Sequence, residues 1–366
     1  MIRIRRGVVR AVAATREGAV ELDVELDGAS APAIAFPDLS GPVEPGDTVL
    51  LNVTAVELGL GTGGVHLVIA VEGKESPAGE RIPGHVVKAR YTPVQTAVAS
   101  VEETDADLLE RSEGLRGTPV VCAPLHSMIA PIAAGAKRAV PDLRVDYVMT
   151  DGAALAGGFS RLVPELRSAG LLDGWISCGQ AFGGELEAVT AWTGLLAAGE
   201  LLEADVIVVA DGPGNLGTET TWGVSALASG HALMAAQTLG GRPIPALRVS
   251  FADERERHRG VSHHSLTILA DVCKVDVNVP VPALEDDAQR EVVWGALRGR
   301  KLEERHHLVE VDGAPAIEEL RARGVEVRTM GRGIDDDPAF FLAAGAAGVL
   351  AGRMAAEDRR WRRSDD

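Results

Sequence analysis

Between residues 253 and 265 the chain places three His, three Asp or Glu, three Arg and two Ser in thirteen positions. Such a density of ionisable groups suits proton transfer, metal ligation or anion binding. His258, His263 and His264 are the candidate acid–base or ligand groups, with Asp253 and Arg255 beside them. Ser262 is placed to cap a helix beginning at His263, which sets His263 and His264 in its first turn. Adjacent helical positions diverge by about 100°, so only one of the two is expected to face a given ligand. A metal would want His258, His264 and Asp253 to converge around an open coordination position, yet the spacing matches no zinc signature, HExxH included. Acid–base or anion-binding histidines and a hydrogen-bonded structural cluster are the alternatives.

Four earlier segments carry similar potential. Asp211-Gly212-Pro213-Gly214-Asn215-Leu216-Gly217-Thr218 follows an apolar run. Its glycines permit positive φ and close backbone approach, so Gly212, Gly214, Asn215 and Thr218 could cradle a phosphate or carboxylate, with Asp211 as a supporting carboxylate. The segment matches neither GxGxxG nor GxxxxGK[ST] and holds no Lys, which argues against a triphosphate site of the P-loop type. A tight structural turn is the plainer alternative. Cys122 and His126 could form a nucleophile–base pair, or Cys122 could be a buried apolar thiol. Thr150-Asp151-Gly152 offers a carboxylate for a hydroxyl, a metal or a proton, or else a cap. Cys178-Gly179-Gln180 is the fourth segment, its thiol with the same two readings as Cys122. The glycine run 59–64 reads as a hairpin, and alternation sends His306 and His307 to opposite faces of a strand.

Each segment follows an apolar run of strand type, at 119–123, 144–149, 174–178, 205–210 and 244–251. Helix-patterned stretches separate them, through 137 and at 159–169, 185–198, 223–239 and 262–272. Strands alternating with such helices predict βαβ units. The expected fold is α/β, a mostly parallel Rossmann-like sheet with helices on both faces. In such sheets ligands bind beyond the carboxyl ends of the strands, so these loops would share one rim. Further strands are expected at 274–279, 307–311 and 325–330, with a helix at 314–323. Short β-rich runs at 8–13, 19–26, 48–53 and 65–70 predict a small antiparallel β-barrel-like domain over 1–77. A connecting segment over 78–117, the α/β domain over 118–355 and a flexible charged tail over 356–366 complete the expected organisation.

Composition agrees with this plan. Aromatics are 4% of the 366 residues and Gly numbers 42, so the core must be mostly small and aliphatic. A net charge of -17 repels nucleic acid and anionic lipid, and neither is an expected partner. No apolar run reads as long enough to cross a bilayer. Three cysteines without a CxxC pair fit reduced thiols and cytoplasmic residence.

Several uncommon phrases occur in one order: NVTAVELGLGTGG at 52–64, GHVVKARYTPVQ at 84–95, YVMTDGAA at 147–154 and CGQAFGGELEA at 178–188. ADGPGNLG at 210–217 and SFADERERHRGVSHHS at 250–265 complete the set. Together they resemble the bacterial DUF3866 family over almost the whole chain. The resemblance implies a bacterial intracellular protein and carries over no catalytic residues and no cofactor. The residues therefore set the functional expectation. It is an enzyme, a hydrolase or transferase, acting on a small anionic metabolite at the rim. A non-catalytic metabolite- or nucleotide-binding module and a scaffold, homo-oligomeric through the barrel, are the alternatives.

Overall fold

The computed structural model describes residues 2–60, 63–75 and 84–364. The expected boundary at residue 77, and residues 61 and 62 of the glycine run, lie outside them. Five strands, β1 (Ile4–Arg16), β2 (Ala19–Leu26), β3 (Ala29–Ala35), β4 (Thr48–Asn52) and β5 (His66–Val71), close into a barrel ordered β1-β2-β3-β5-β4. All neighbouring pairs are antiparallel except β3–β5. Alternation turns Val9, Leu22, Val24, Val49 and Leu51 into its core. The sequence reading missed β3, where Ile34 is the one β-branched residue in a run of Ala, Ser and Pro. It forms because Asp27 (φ 51°) and Gly28 (φ 82°) turn the chain back along β2.

The connecting segment contributes a hairpin of β6 (Val86–Lys88) and β7 (Thr96–Val98) and two short helices. Lys88 is fully buried, donating to the Ala188 carbonyl at 3.0 Å and lying 3.2 Å from Glu187. That pair fastens the hairpin to the main sheet. A buried charge without such partners would be strongly unfavourable.

The main sheet comprises β8 (Pro119–Cys122), β9 (Val145–Thr150), β10 (Gly174–Cys178), β11 (Leu186–Ala188), β12 (Val206–Asp211) and β13 (Arg242–Pro245). All run parallel, in the order β11-β10-β9-β12-β8-β13. Along β12, Val206, Val208 and Ala210 join the core on one face while Ile207 and Val209 join the other. Helices cover both faces, as expected. Two small sheets follow: β14 (Val249–Ser250) against β15 (Gly260–Val261), and β16 (Asn278–Pro282) beside β17 (His307–Val311).

Several elements differ from the sequence reading. The apolar run 244–251 breaks between β13 and β14, and 325–330 makes only a single bridge, between Thr329 and Arg332. The helix expected from 185 begins at Ala191, because Leu186–Ala188 pairs with β10 as an edge strand. The helix expected near 223 begins at Ala228. The helix Pro338–Ser364 runs into the expected tail, where Arg359 donates to Asp205 at 2.9 Å. Its Pro338–Arg359 stretch is long and apolar enough to span a membrane, contrary to the sequence reading. Yet 72% of its most apolar window is buried, as in the core helix of a globular fold.

This helix packs on Ile129–Ala139 at backbone distance. A Cβ on Gly348 would overlap the Ile132 carbonyl, whereas Gly295, exposed on the helix Asp287–Gly299, has open space around it. Gly348→Ala is therefore expected to cost about 1–3 kcal/mol of overpacking in urea unfolding. Gly295→Ala is expected to stabilise by about 0.5–1 kcal/mol. Asp146, fully buried near the start of β9, gives a second test. Burial pushes its carboxyl up to about 7, opposed by Arg144 at 3.2 Å. Between the ordinary carboxylate value and about 7 the folded state holds a proton that the unfolded chain releases, so stability falls as pH rises through that window. Melting temperatures at about pH 5 and about pH 8 should show Asp146→Asn gaining on the wild type at the higher pH.

Candidate functional site

The strand order decides which loops meet. β12 inserts between β8 and β9, so the loop after β12 lies between the loops after its two neighbours. Asp211 pairs in register with Thr150, and Val209 with Cys122. The Asp211 carboxylate, 4% exposed, accepts from Thr150 Oγ1 at 2.6 Å, the Gly152 amide at 3.0 Å and Asn215 Nδ2 at 2.8 Å. Burial raises its pKa and these donors oppose the rise. Beneath it, His126 bridges the Asp211 carbonyl at 3.2 Å and Ser160 Oγ at 2.8 Å. Ser160 belongs to the loop after β9, which the barrel braces: Arg161 donates twice to Glu21 of β2, at 2.8 and 2.6 Å.

Asp151 accepts from the Gln180 amide at 2.7 Å, with Gly179 (φ 67°) pressed against its carboxylate. Asp151 and Asp211 thus tie loops together; the Asp211 carboxylate is buried and accepts three hydrogen bonds, whereas Asp151 is exposed and accepts one. Cys122 and Cys178 are each 1% exposed, and desolvation drives both thiols far above their ordinary pKa. His126 is held by Ser160 and the Asp211 carbonyl, and burial lowers its pKa to about 4. The nucleophile–base pair suggested by Cys122 and His126 is therefore not formed. Two amides of the expected backbone cradle are used within the loop itself. The Leu216 amide donates to Ser225, the Thr218 amide to the Gly223 carbonyl, and residues 217 and 224 bridge as a small hairpin. Gly214 keeps positive φ and Gly212 packs under Ala154, both as turn glycines.

What remains is a cavity of about 150 Å³ where the loops after β8 and β12 meet the 253–265 segment. Asn215, Gly217, Arg248, Arg255, His258 and His264 are among the residues lining it, with Leu216 and Met330 exposed at its edge. A larger cavity of about 370 Å³ opens at the amino ends of the strands, lined by Arg116, Glu200, Asp205 and Arg359. We place the site in the smaller one, because converging strand ends leave polar loop groups at the carboxyl rim.

Asp253 organises the charged side of this cavity. Arg255 grips it with two bonds of 2.9 and 2.8 Å, Arg248 adds one of 2.8 Å, and Arg332 lies 3.8 Å away. The hydrogen bonds from Arg255 hold its carboxyl well below the usual range. Asp253 thus anchors arginines rather than joining His258 and His264 as a metal ligand. Arg248 also donates from Nη1 to His258 Nδ1 at 3.1 Å, and Ser262 Oγ lies 2.8 Å from the same nitrogen. Ser262 caps the helix as expected. Arg248, which the sequence reading missed, sits in the break between β13 and β14 that looked like continuous strand.

His263 and His264 do not diverge. Their ring centroids are 3.8 Å apart, and His258 lies 5.4 and 5.3 Å from them. Both residues sit at the open start of a helix, where no preceding turn blocks the side chains from folding over its end. Desolvation foremost keeps the three rings neutral, lowering His258 to about 3 with help from Arg248 and His264 to about 4 with help from His263. His263 is lowered in the same way. One ring nitrogen from each lies within 4.8 Å of the others, a spacing that a metal ion could draw together.

Fold and site together define an α/β protein carrying a barrel, with an arginine- and histidine-lined cavity on the carboxyl rim of a parallel sheet. The chain belongs to the DUF3866 family, proteins of unknown function, whose family model matches residues 32–348. No curated protein matches the chain. The committed Asp211 carboxylate yields a direct prediction. Asp211→Ala should lower stability in urea unfolding by roughly 1–3 kcal/mol, as buried donors lose their acceptor. The same melt on Asp211→Asn should show a smaller loss.

Proposed function

We propose that the protein is a bacterial cytosolic enzyme acting on a small anionic metabolite in the rim cavity. The observation that carries this reading is the pair Arg248 and Arg255, held by one carboxylate and lining a cavity that also receives neutral His258 and His264. Arg255 uses Nε and Nη2 on Asp253 and leaves Nη1 without a hydrogen bond among the described residues. A planar guanidinium suits phosphate or carboxylate, and a local cluster of arginines on a chain of net charge -17 focuses anions there. The same groups would stabilise negative charge developing on a phosphoryl or acyl group, which favours a hydrolase or transferase. Three buried free thiols fit a reducing compartment. Exposed Ile4, Val8 and Val12 on β1 support a homo-oligomer formed through the barrel.

A second reading, a binding module without turnover, draws support from Asp211, whose buried carboxylate is committed to holding loops. Assay of nitrophenyl phosphates and esters separates the two, because only the enzyme releases nitrophenol. Both readings place the anion at the arginines. Inorganic phosphate or pyrophosphate should therefore raise the melting temperature, and Arg255→Gln should lose most of that rise relative to its own unliganded melt. Equal stabilisation of the variant and the wild type would place the anion elsewhere.

A further inference from the structure

The geometry points to a metal site: His258, His263 and His264 bind one divalent transition-metal ion, each through one ring nitrogen. His264 is 5% exposed, and neither of its ring nitrogens has a hydrogen-bond partner among the described residues. Nε2 of His263 is buried and unpartnered as well. Buried polar nitrogens are nearly always paired, because leaving them unpaired forfeits the hydrogen bonds they make in water. Three clustered imidazoles, two of them with buried unpaired nitrogens, are better explained by a shared electron-pair acceptor than by mutual packing.

The donor set fixes the class of ion. All three donors are imidazole nitrogens, which suit zinc, copper, nickel or iron rather than calcium or magnesium, whose sites are built from oxygens. Each neutral imidazole offers one lone pair; that of His258 now accepts from Arg248 at Nδ1, so ligation through Nε2 requires the ring proton to pass to Nδ1. The present separations of up to 4.8 Å need only modest side-chain movement to reach metal–nitrogen distances of about 2.0–2.1 Å.

His258 has the support that a ligating histidine normally has. When its Nε2 ligates, Nδ1 carries the proton and donates to Ser262 Oγ, 2.8 Å away. Arg248 then gives up its bond to that nitrogen and keeps the one to Asp253. Three ligands leave coordination positions for water and for an anion, and the arginine-lined cavity lies beside them. The neighbouring cationic charge is partly neutralised by Asp253 on Arg248 and Arg255 and by Glu219 on Arg257. A bound phosphate or carboxylate would offset the rest, so anion and metal should bind cooperatively. The ligand set stands without the proposed function; only this cooperation rests on it.

The test is titration of chelator-treated full-length protein with Co(II) near neutral pH, followed by visible absorption, with Zn(II) competing. One equivalent should produce d–d bands of a nitrogen-ligated ion, and excess Mg(II) should leave them unchanged. His264→Gln and His263→Ala should each weaken binding by at least about tenfold, the scale on which lost ligand-shell groups act, while exposed His307→Ala should not. If His264→Gln fails to fold by circular dichroism, His263→Ala, at the less buried ring, decides. Absence of the bands, or bands undiminished in the folded cluster variants, overturns the site. Phosphate stabilisation of the metal-free protein is read separately. Its presence without cobalt bands leaves the anion cavity standing and removes the metal, and cobalt bands without it do the reverse.

Discussion

A carboxylate buried at the carboxyl end of a parallel strand needs donors on several sides, and Asp211 meets that need by recruiting the loops around it. Its bonds to Thr150, Gly152 and Asn215 exist because β12 inserts between β8 and β9. The rim takes its shape from that arrangement. His126 and Ser160 extend the same network below, and the barrel presses on it through Arg161 and Glu21. Asp151 and Asp253 follow the same logic, one joined to the next loop and the other to two arginines.

The carboxylates of Asp211 and Asp253 are thereby paired. The buried atoms left without a partner near the rim, among the described residues, include Gln180 Nε2, Arg257 Nε, Asp337 Oδ1 and the ring nitrogens of His263 and His264, and only the last come as a cluster. The unpaired nitrogens of His263 and His264 are not sealed in apolar core. They lie beside a cavity on this rim that arginines line. Chemistry and binding are assigned to the groups that the fold leaves uncommitted. The groups it has fully committed are assigned to shape.

Much of the fold was legible because parallel strands buried on both faces read as continuous apolar runs, as β8, β9, β10 and β12 do. Strands without that signal were missed. β3 depends on its turn and its neighbour, and β11 on docking beside β10. The long final helix was overlooked because its Gly- and Ala-rich sequence has no apolar stripe, being buried on most sides. At the site, the density of His and Arg in 253–265 marked the right segment. That the Asp211 carboxylate is occupied was not legible, since Thr150 and Gly152 are distant from it in sequence. Convergence of His263 with His264 was hidden too, because it depends on side chains folding over a helix start rather than around its barrel. Arg248 was hidden by the apolar residues on either side.

The most direct measurement is diffraction from crystals grown with Zn(II) and phosphate, recorded on both sides of the zinc absorption edge. The account predicts one anomalous peak bonded by His258, His263 and His264, with phosphate between it and Arg255. Ring nitrogens hydrogen-bonded to ordered water, with metal and phosphate bound elsewhere, would contradict it.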